Sequence, residues 1–406
     1  MHNPPMNAPG PSNDRRSRTA DRLRPFGTTI FAEITARAVE TGSVNLGQGM
    51  PDFDGPGWLL DLAAEALRAG PNQYAPMAGL PELRRALAGR WAGRSGLACD
   101  PDAEVTVTSG CTEALAACAL GLLNPGDRVV VFEPYYDAYP ADLALAGAEA
   151  VFVALRAQAD GSFVFDEAEL RSACAGARAI MVNTPHNPTG KVFSTRELTL
   201  IASLCVEHDL IVLSDEVYET LVYGGAEHVR LATLPGMRDR TITLGSFGKM
   251  FSVTGWKIGW AIGPAALSAA VRGAHQFLTF AVPTALQRAA ASAIEDDRGY
   301  GDELRARLMR SRDRLSEALR ATGFVLDAPE GGYFILADHT AVCARLGIEP
   351  ADDRALCAHL METVGVATIP PTAFYRHPQH GRRLLRFSFC KSDEVLADAI
   401  ERLAKL

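Results

Sequence analysis

One lysine draws a chemical reading before any other residue. It stands in Thr241-Ile-Thr-Leu-Gly-Ser-Phe-Gly-Lys249, where residues of high strand propensity give way to small, permissive ones. Junctions of that kind carry much of the chemistry in globular proteins. Most lysines are solvated surface charges, so Lys249 needs partners, and other segments offer them. Lys257 follows close behind it. In Thr108-Ser-Gly-Cys-Thr-Glu-Ala114, between a predicted strand and a predicted helix, Gly110, Cys111 and Thr112 could present N–H groups and a hydroxyl to an anion. An ordinary helix cap by Ser109 or Thr112 fits the same residues. In Asn183-Thr-Pro-His-Asn-Pro-Thr-Gly190 two prolines stiffen a loop bearing Asn183, His186 and Asn187, which suits either a small planar ligand or a structural turn. Ser214-Asp-Glu-Val-Tyr218 ends another predicted strand, and Asp215 there is hard to explain as packing.

These junctions together offer an anion cradle, an acid, a phenol, an amide and a lysine. Pyridoxal phosphate is the small molecule that fits such a set. Its aldehyde needs a lysine amine for a Schiff base, its ring nitrogen needs a carboxylate, and its phosphate needs N–H and hydroxyl donors with a cation. Ser246, Lys257 and the turn at residues 110–112 can meet the last need.

The elements that must hold these groups are legible as an alternation. Strands are predicted at Val105–Thr108, Arg128–Phe132, Ala150–Val153, Ala179–Val182, Leu210–Leu213, Thr241–Leu244 and Ile258–Ile262. Helices fall between them at 112–123, 139–146, 166–173 and 194–208, the last opening on a Ser194-x-x-Glu197 capping box. Short apolar strands separated by helices predict an α/β fold, a mostly parallel seven-stranded sheet covered on both faces. That large domain is expected over residues 56–296. A smaller α+β domain is expected from both chain ends, residues 21–55 and 297–406. The chain reads as helical from beyond Pro283 to about Ala321, as strands near 324–326, 333–336, 366–369 and 384–389, and as a loop from Val44 to Phe53. Residues 1–20 read as a disordered tail.

The whole chain of 406 residues carries a net charge of −8, which argues against a general attraction to nucleic acid or anionic membrane. No apolar run reaches membrane-spanning length, and the first twenty residues lack the apolar segment of a signal peptide. The 8 cysteines are scattered without metal-ligand spacing, as expected of reduced thiols in a cytoplasmic protein. Ser246-x-x-Lys249 also matches the nucleophile motif of serine β-lactamases, but the Lys-Thr-Gly partner is absent.

In combination the motifs are far more specific. They are Asn45-Leu-Gly-Gln-Gly-Met-Pro-Asp-Phe53, Asn72-Gln-Tyr74, Glu133-Pro-Tyr-Tyr-Asp137, Asn183-x-Pro-x-Asn-Pro-x-Gly190, Ser214-Asp-Glu-Val-Tyr218, Ser246-x-Gly-Lys249-x-Phe-x-x-Thr-Gly-Trp-Lys257, Pro329-Glu-Gly-Gly-Tyr333 and Leu385-Arg-Phe387. From about residue 22 onward the chain resembles the fold-type I pyridoxal phosphate enzymes of the class I/II aminotransferase family. Within it the resemblance is to the branch of kynurenine, glutamine and methionine aminotransferases and cysteine-conjugate β-lyases.

The resemblance implies that Lys249 anchors the cofactor and later moves the substrate proton. It implies that Asp215 pairs with the ring nitrogen, that Tyr218 and Asn187 bond the ring oxygen, and that Gly110, Cys111, Thr112, Ser246 and Lys257 hold the phosphate. Tyr74 would reach in from the second subunit of a homodimer. Tyr136 would stack on the ring, with Tyr135 a close rival, and Arg386 would grip the substrate carboxylate with help from Asn187 and the backbone at Gly49. Members of this branch commonly show Phe-His where this chain has Phe280-Ala281, which weakens a kynurenine assignment. A pocket wall of Phe31, Phe280, Tyr333, Met50 and Phe374 would favour apolar, aromatic or thioether side chains. The expected reaction is transfer of the amino group of an L-amino acid to a 2-oxo acid by a ping-pong mechanism. β-Elimination, cyclisation or oxidation on the same cofactor is the alternative.

Overall fold

The computed structural model describes residues 19–349 and 351–406; most of the tail expected over residues 1–20 lies outside them. The seven predicted strands form one sheet: β1 (Val105–Ser109), β2 (Arg128–Glu133), β3 (Glu149–Ala154), β4 (Ala179–Asn183), β5 (Ile211–Asp215), β6 (Thr241–Ser246) and β7 (Ile258–Ile262). Their order across the sheet is β1-β7-β6-β5-β4-β2-β3. Neighbours from β6 to β3 run parallel, whereas β7 runs antiparallel to both β1 and β6.

Every residue of β4, β5 and β7 is buried, as sheets covered on both faces require. Alternation divides the strands between two cores: Val129 and Val131 of β2 join one, Val130 and Phe132 the other. On the first face lie helices Gly110–Leu122, Ala138–Ala146 and Ala265–Leu278, which contribute Leu115, Leu143 and Val271. On the second lie helices Glu167–Cys174 and Thr195–Glu207, contributing Leu170, Leu198 and Ile201. The predicted capping box is present, with Ser194 accepting from the Glu197 N–H and the Glu197 side chain reaching back.

A further core unites distant parts of the chain, from Ile34 and Leu46 to Leu308, Leu356, Phe387 and Leu403. Here β8 (Phe334–Asp338) pairs antiparallel with β9 (Leu384–Ser388), setting Leu336 opposite Arg386. Residues Val44–Asn45, within a segment that reads as a loop, pair with Val366–Ala367. Their Gly- and Pro-rich surroundings mask a strand of only two residues. The helical region after Pro283 is two helices, Thr284–Glu295 and Tyr300–Ala321. Arg298 and Gly299 separate them with φ of 52° and 79°, a left-handed break incompatible with a continuous helix. The expected strand at 324–326 reduces to one bridge between Val325 and Asp338. Among the described residues no helix is long and apolar enough to cross a membrane, and all eight cysteines are free thiols.

Asp142 departs from the pattern. It lies on helix Ala138–Ala146, only 6% exposed, and its Oδ2 has no hydrogen-bond partner. Burial and the nearby Asp137 push its carboxyl up to about 7. Because the folded value lies above the unfolded one, the penalty is absent in acid, grows as pH rises, and is complete above the folded value. A shift of that size corresponds to a ceiling on the order of 4 kcal/mol. Relative to wild type, Asp142→Asn should show a thermal-stability gain that widens from pH 4 to pH 7 and levels off above. A constant offset across that range would clear the carboxylate.

Candidate active site

β6 ends in Ser246, and the chain turns at once into the helical turn Phe247–Met250, which carries Lys249. Buried Phe247 and Phe251 stack with ring centroids 4.6 Å apart, so two aromatic anchors fix the turn on either side of the lysine. A Cβ at Gly248 would come within 2.8 Å of the Thr254 backbone, and only glycine permits that approach. Lys249 therefore points into a cavity of about 270 Å3 whose wall also includes Gly110, Cys111, Thr112, Tyr136, Asn187, Asp215, Tyr218, Ser246, Lys257, Gly49, Phe31 and Arg386.

Sheet topology explains the convergence. Asn183 and Asp215 pair at the ends of parallel β4 and β5. Since β7 is reversed, its first residues lie beside the last residues of its neighbours: Ile258 faces Ser109 and Gly259 faces Ser246. Lys257, one residue earlier, thus reaches the turn at Gly110. Gly110 has φ +72°, and a Cβ there would stand 3.2 Å from Lys257 Nζ. Neither Ser109 nor Thr112 caps the following helix; instead Glu113 accepts from the Ser109 N–H at 3.0 Å. His275 holds Glu113 in turn at 2.9 Å.

Around Asp215, Tyr139 donates its hydroxyl to Oδ2 at 2.7 Å and Val217 donates its N–H to Oδ1 at 3.2 Å. Burial raises this carboxyl, and the tyrosine, the amide and Lys249 oppose the rise. Asn183 ties the strand end by donating to the Asp215 carbonyl at 2.9 Å and accepting from the Asn187 N–H at 2.6 Å. Lys249 Nζ donates to Tyr333 Oη at 2.6 Å, and Tyr333 donates to the Gly49 carbonyl at 2.8 Å. The single phenolic proton is committed to Gly49, so toward Lys249 the phenol accepts and leaves the amine lone pair free. Burial lowers the lysine's affinity for its proton.

Arg386, on β9, is 2% exposed. Its guanidinium lies 4.4–4.9 Å from the ring centroids of Phe334, Phe31 and Phe374 and donates to the Gly47 carbonyl at 2.8 Å. Nε has no partner, and burial lowers its value to about 10. Among the described residues neither Arg386 nor Lys257 forms an ion pair.

Tyr136 lines the cavity, while its rival Tyr135 packs into the core on Phe152 at 5.2 Å. Phe31 and Met50 stand on the wall as expected, but Tyr333 lies behind Lys249 and Phe374 behind Arg386. Tyr74 and Phe280 do not line this chain's cavity. They contact each other edge to face at 5.4 Å, and Tyr74 is 84% exposed. The sequence reading missed Tyr139. Its one available signal is its place in the first turn of the helix that follows Tyr136.

The family model for aminotransferase class I and II matches residues 41–403. The chain belongs to that family. This aminotransferase is 45% identical over 397 residues to the probable N-succinyldiaminopimelate aminotransferase DapC of Mycobacterium tuberculosis, covering 96% of this chain and 98% of that protein. It is 39% identical to kynurenine–oxoglutarate transaminase 3 of Mus musculus, with 95% and 89% covered. A solved structure of the methionine aminotransferase YbdL from Escherichia coli superposes with a TM-score of 0.89 at 36% identity, over 96% of this chain and 99% of that one.

The aminotransferase uses pyridoxal phosphate and acts on amino and oxo acids. Its residues fit that cofactor: among the described residues the buried Arg386 and the exposed Lys257 form no ion pair, a carboxylate lies in the same cavity, and the turn beside Lys257 is kept open by a glycine. Gly110→Ala would place a Cβ in the left-handed region, a cost of about 1–2 kcal/mol, and crowd Lys257. Free and bound protein share the backbone cost, so it is the crowding of Lys257 that should weaken cofactor affinity by fluorescence titration, with an unchanged circular dichroism spectrum. Undiminished affinity would remove the turn from the phosphate site.

Proposed function

We propose that the enzyme transfers the amino group of an L-amino acid with an apolar, aromatic or thioether side chain to a 2-oxo acid, by a ping-pong mechanism. The observation that carries this reading is Arg386: a buried guanidinium without a carboxylate partner among the described residues, in the same cavity as a Lys249 amine that hydrogen-bonds a phenol rather than a carboxylate. The three substrate chemistries in the relatives' names share an α-amino acid that needs such a group. Phe31 and Met50 supply an apolar wall beside Arg386. No observation favours elimination, cyclisation or oxidation.

On this reading, Lys249 would be the residue that anchors the cofactor through its amine. Its free lone pair then takes and returns the Cα proton, which a desolvated, neutral amine can do. Bound pyridoxal phosphate supplies the electron sink that makes Cα–H bond breaking possible. Asp215 would face the ring nitrogen, Tyr218 and Asn187 would bond the ring oxygen, and Tyr136 would cover the ring face. Gly110, Cys111, Thr112, Ser246 and Lys257 take the phosphate. Arg386 orients the substrate carboxylate, assisted by Asn187 and Gly49, in a two-pronged bond.

We further read residues 56–296 as the cofactor-binding domain and residues 21–55 with 297–406 as the smaller one. The shared core of the two chain ends supports that division. We also read the enzyme as cytoplasmic and as a homodimer in which each subunit lends Tyr74 to its partner's site; the exposure of this phenol supports the second reading.

Lys249→Ala should abolish the borohydride-reducible yellow adduct and lower turnover by about 10²–10⁴-fold or more. Retained turnover would refute the lysine assignment. Arg386→Lys keeps the charge but loses the planar fork, so KM for the amino acid should rise about 10–100-fold. Single amino acids, mixed one at a time with the purified enzyme, should bleach the yellow form and yield 2-oxo acid without ammonia. Ammonia release would overturn the transfer reading.

A further inference from the structure

Asp215 is enclosed on every side, and what encloses it differs in kind. Oδ1 receives the Val217 N–H at 3.2 Å and stands 3.9 Å from the Cys111 thiol, a weak donor. Oδ2 receives a single strong donor, the Tyr139 hydroxyl at 2.7 Å. Both residues are nearly sealed, Tyr139 at 3% exposure and Asp215 at 5%, so water does not replace the bond if it is lost.

Helix Ala138–Ala146 makes the contact possible. Tyr139 sits in its first turn, its N–H bonded to the Tyr136 carbonyl at 3.0 Å and its ring edge-on to Tyr136 at 5.7 Å. The start of this helix and the segment just before it therefore carry a hydroxyl aimed at the carboxylate and an aromatic wall of the cavity. A buried carboxylate that keeps its charge needs hydrogen bonds to the charged form. Glu216, the adjacent acid, cannot share a proton with Asp215, because its oxygens are taken by Ser214, His228 and Arg230.

We propose that Tyr139 is the positioning residue that holds Asp215 ionised and aimed at the cofactor's ring nitrogen. The inference rests on the reading of Asp215 given above. The other titratable groups acting electrostatically with Asp215 are Cys111, Tyr136, Tyr218, Lys249 and Glu216. Of the titratable side chains among the described residues, only Tyr139 and the weak thiol of Cys111 hydrogen-bond the carboxylate. Tyr139→Phe keeps the ring and its packing on Tyr136 and removes only the donor. It lets the carboxyl take up a proton and give up its charge opposite the ring nitrogen.

The test compares two cofactors in wild type and Tyr139→Phe: pyridoxal phosphate, and its carbon analogue in which C–H replaces the ring nitrogen. Dissociation constants are read from the absorbance of the reconstituted holoenzymes. Pyridoxal phosphate affinity should fall about 10–100-fold in the variant, as expected for a lost hydrogen bond to a charged group, while affinity for the analogue should be nearly unchanged. The visible spectrum of the variant should also depend on pH over a range where wild type is constant. Equal losses for both cofactors, or loss of neither, would overturn the proposal; equal loss would make Tyr139 a packing residue. Failure of the wild-type protein to bind pyridoxal phosphate would instead overturn the cofactor assignment itself.

Discussion

The reversal of β7 is the constraint on which the cavity depends. Parallel strands present their C-terminal ends to one edge of a sheet, and that edge alone would assemble Asn183, Asp215 and Ser246. Lys257, the cation proposed for the phosphate, comes from elsewhere: β7 runs the other way, so that the lysine arrives at the same edge from the start of a strand. Register then does the fine placement. Gly259 lies beside both Thr108 and Ser246, and its lack of a side chain lets β7 press against the Gly110–Cys111 backbone, where a Cβ would come within 2.5 Å.

Charge decides the rest of the site. Moving a guanidinium out of water costs several kcal/mol, and a hydrogen bond with cation–π contacts of about 0.5–2 kcal/mol each recovers only part of that. Arg386 is therefore held in a state that a carboxylate ligand improves. The same logic runs in reverse for Lys249, where burial disfavours the ammonium form. One cavity thus keeps one cation charged, by giving it aromatic faces and a carbonyl, and presses another toward neutrality. The difference lies in pKa: a guanidinium retains its proton under a desolvation that strips it from an amine.

Two tyrosines connect these charged groups to the scaffold. Tyr333, behind the wall, links Lys249 to the backbone at Gly49, and Tyr139, on the wall, links Asp215 to helix Ala138–Ala146. Each has one phenolic proton committed to one acceptor, so each ties a charged side chain to a rigid element. Tyr139 does not stand out in the sequence and Tyr333 reads there as pocket wall: tyrosines in apolar surroundings fill cores more often than they orient charged groups.

What was legible beforehand follows from local chemistry. The seven strands, the helices between them, the capping box, and the Lys249, Asp215, Asn187 and Arg386 motifs are written in short segments, where alternation, turn residues and flanking apolarity suffice. The two-residue pairing at Val44–Asn45, the break at Arg298–Gly299 and the retreat of Tyr333 and Phe374 from the cavity wall were not. Each depends on contacts between residues far apart in the chain. By itself the sequence determined which groups stand at strand ends, because strand propensity and small turn residues are local properties. Only the tertiary structure decided which of them meet. Strand order, the direction of β7 and the contact of Tyr139 with Asp215 are set by packing across the sheet, and no local pattern encodes them.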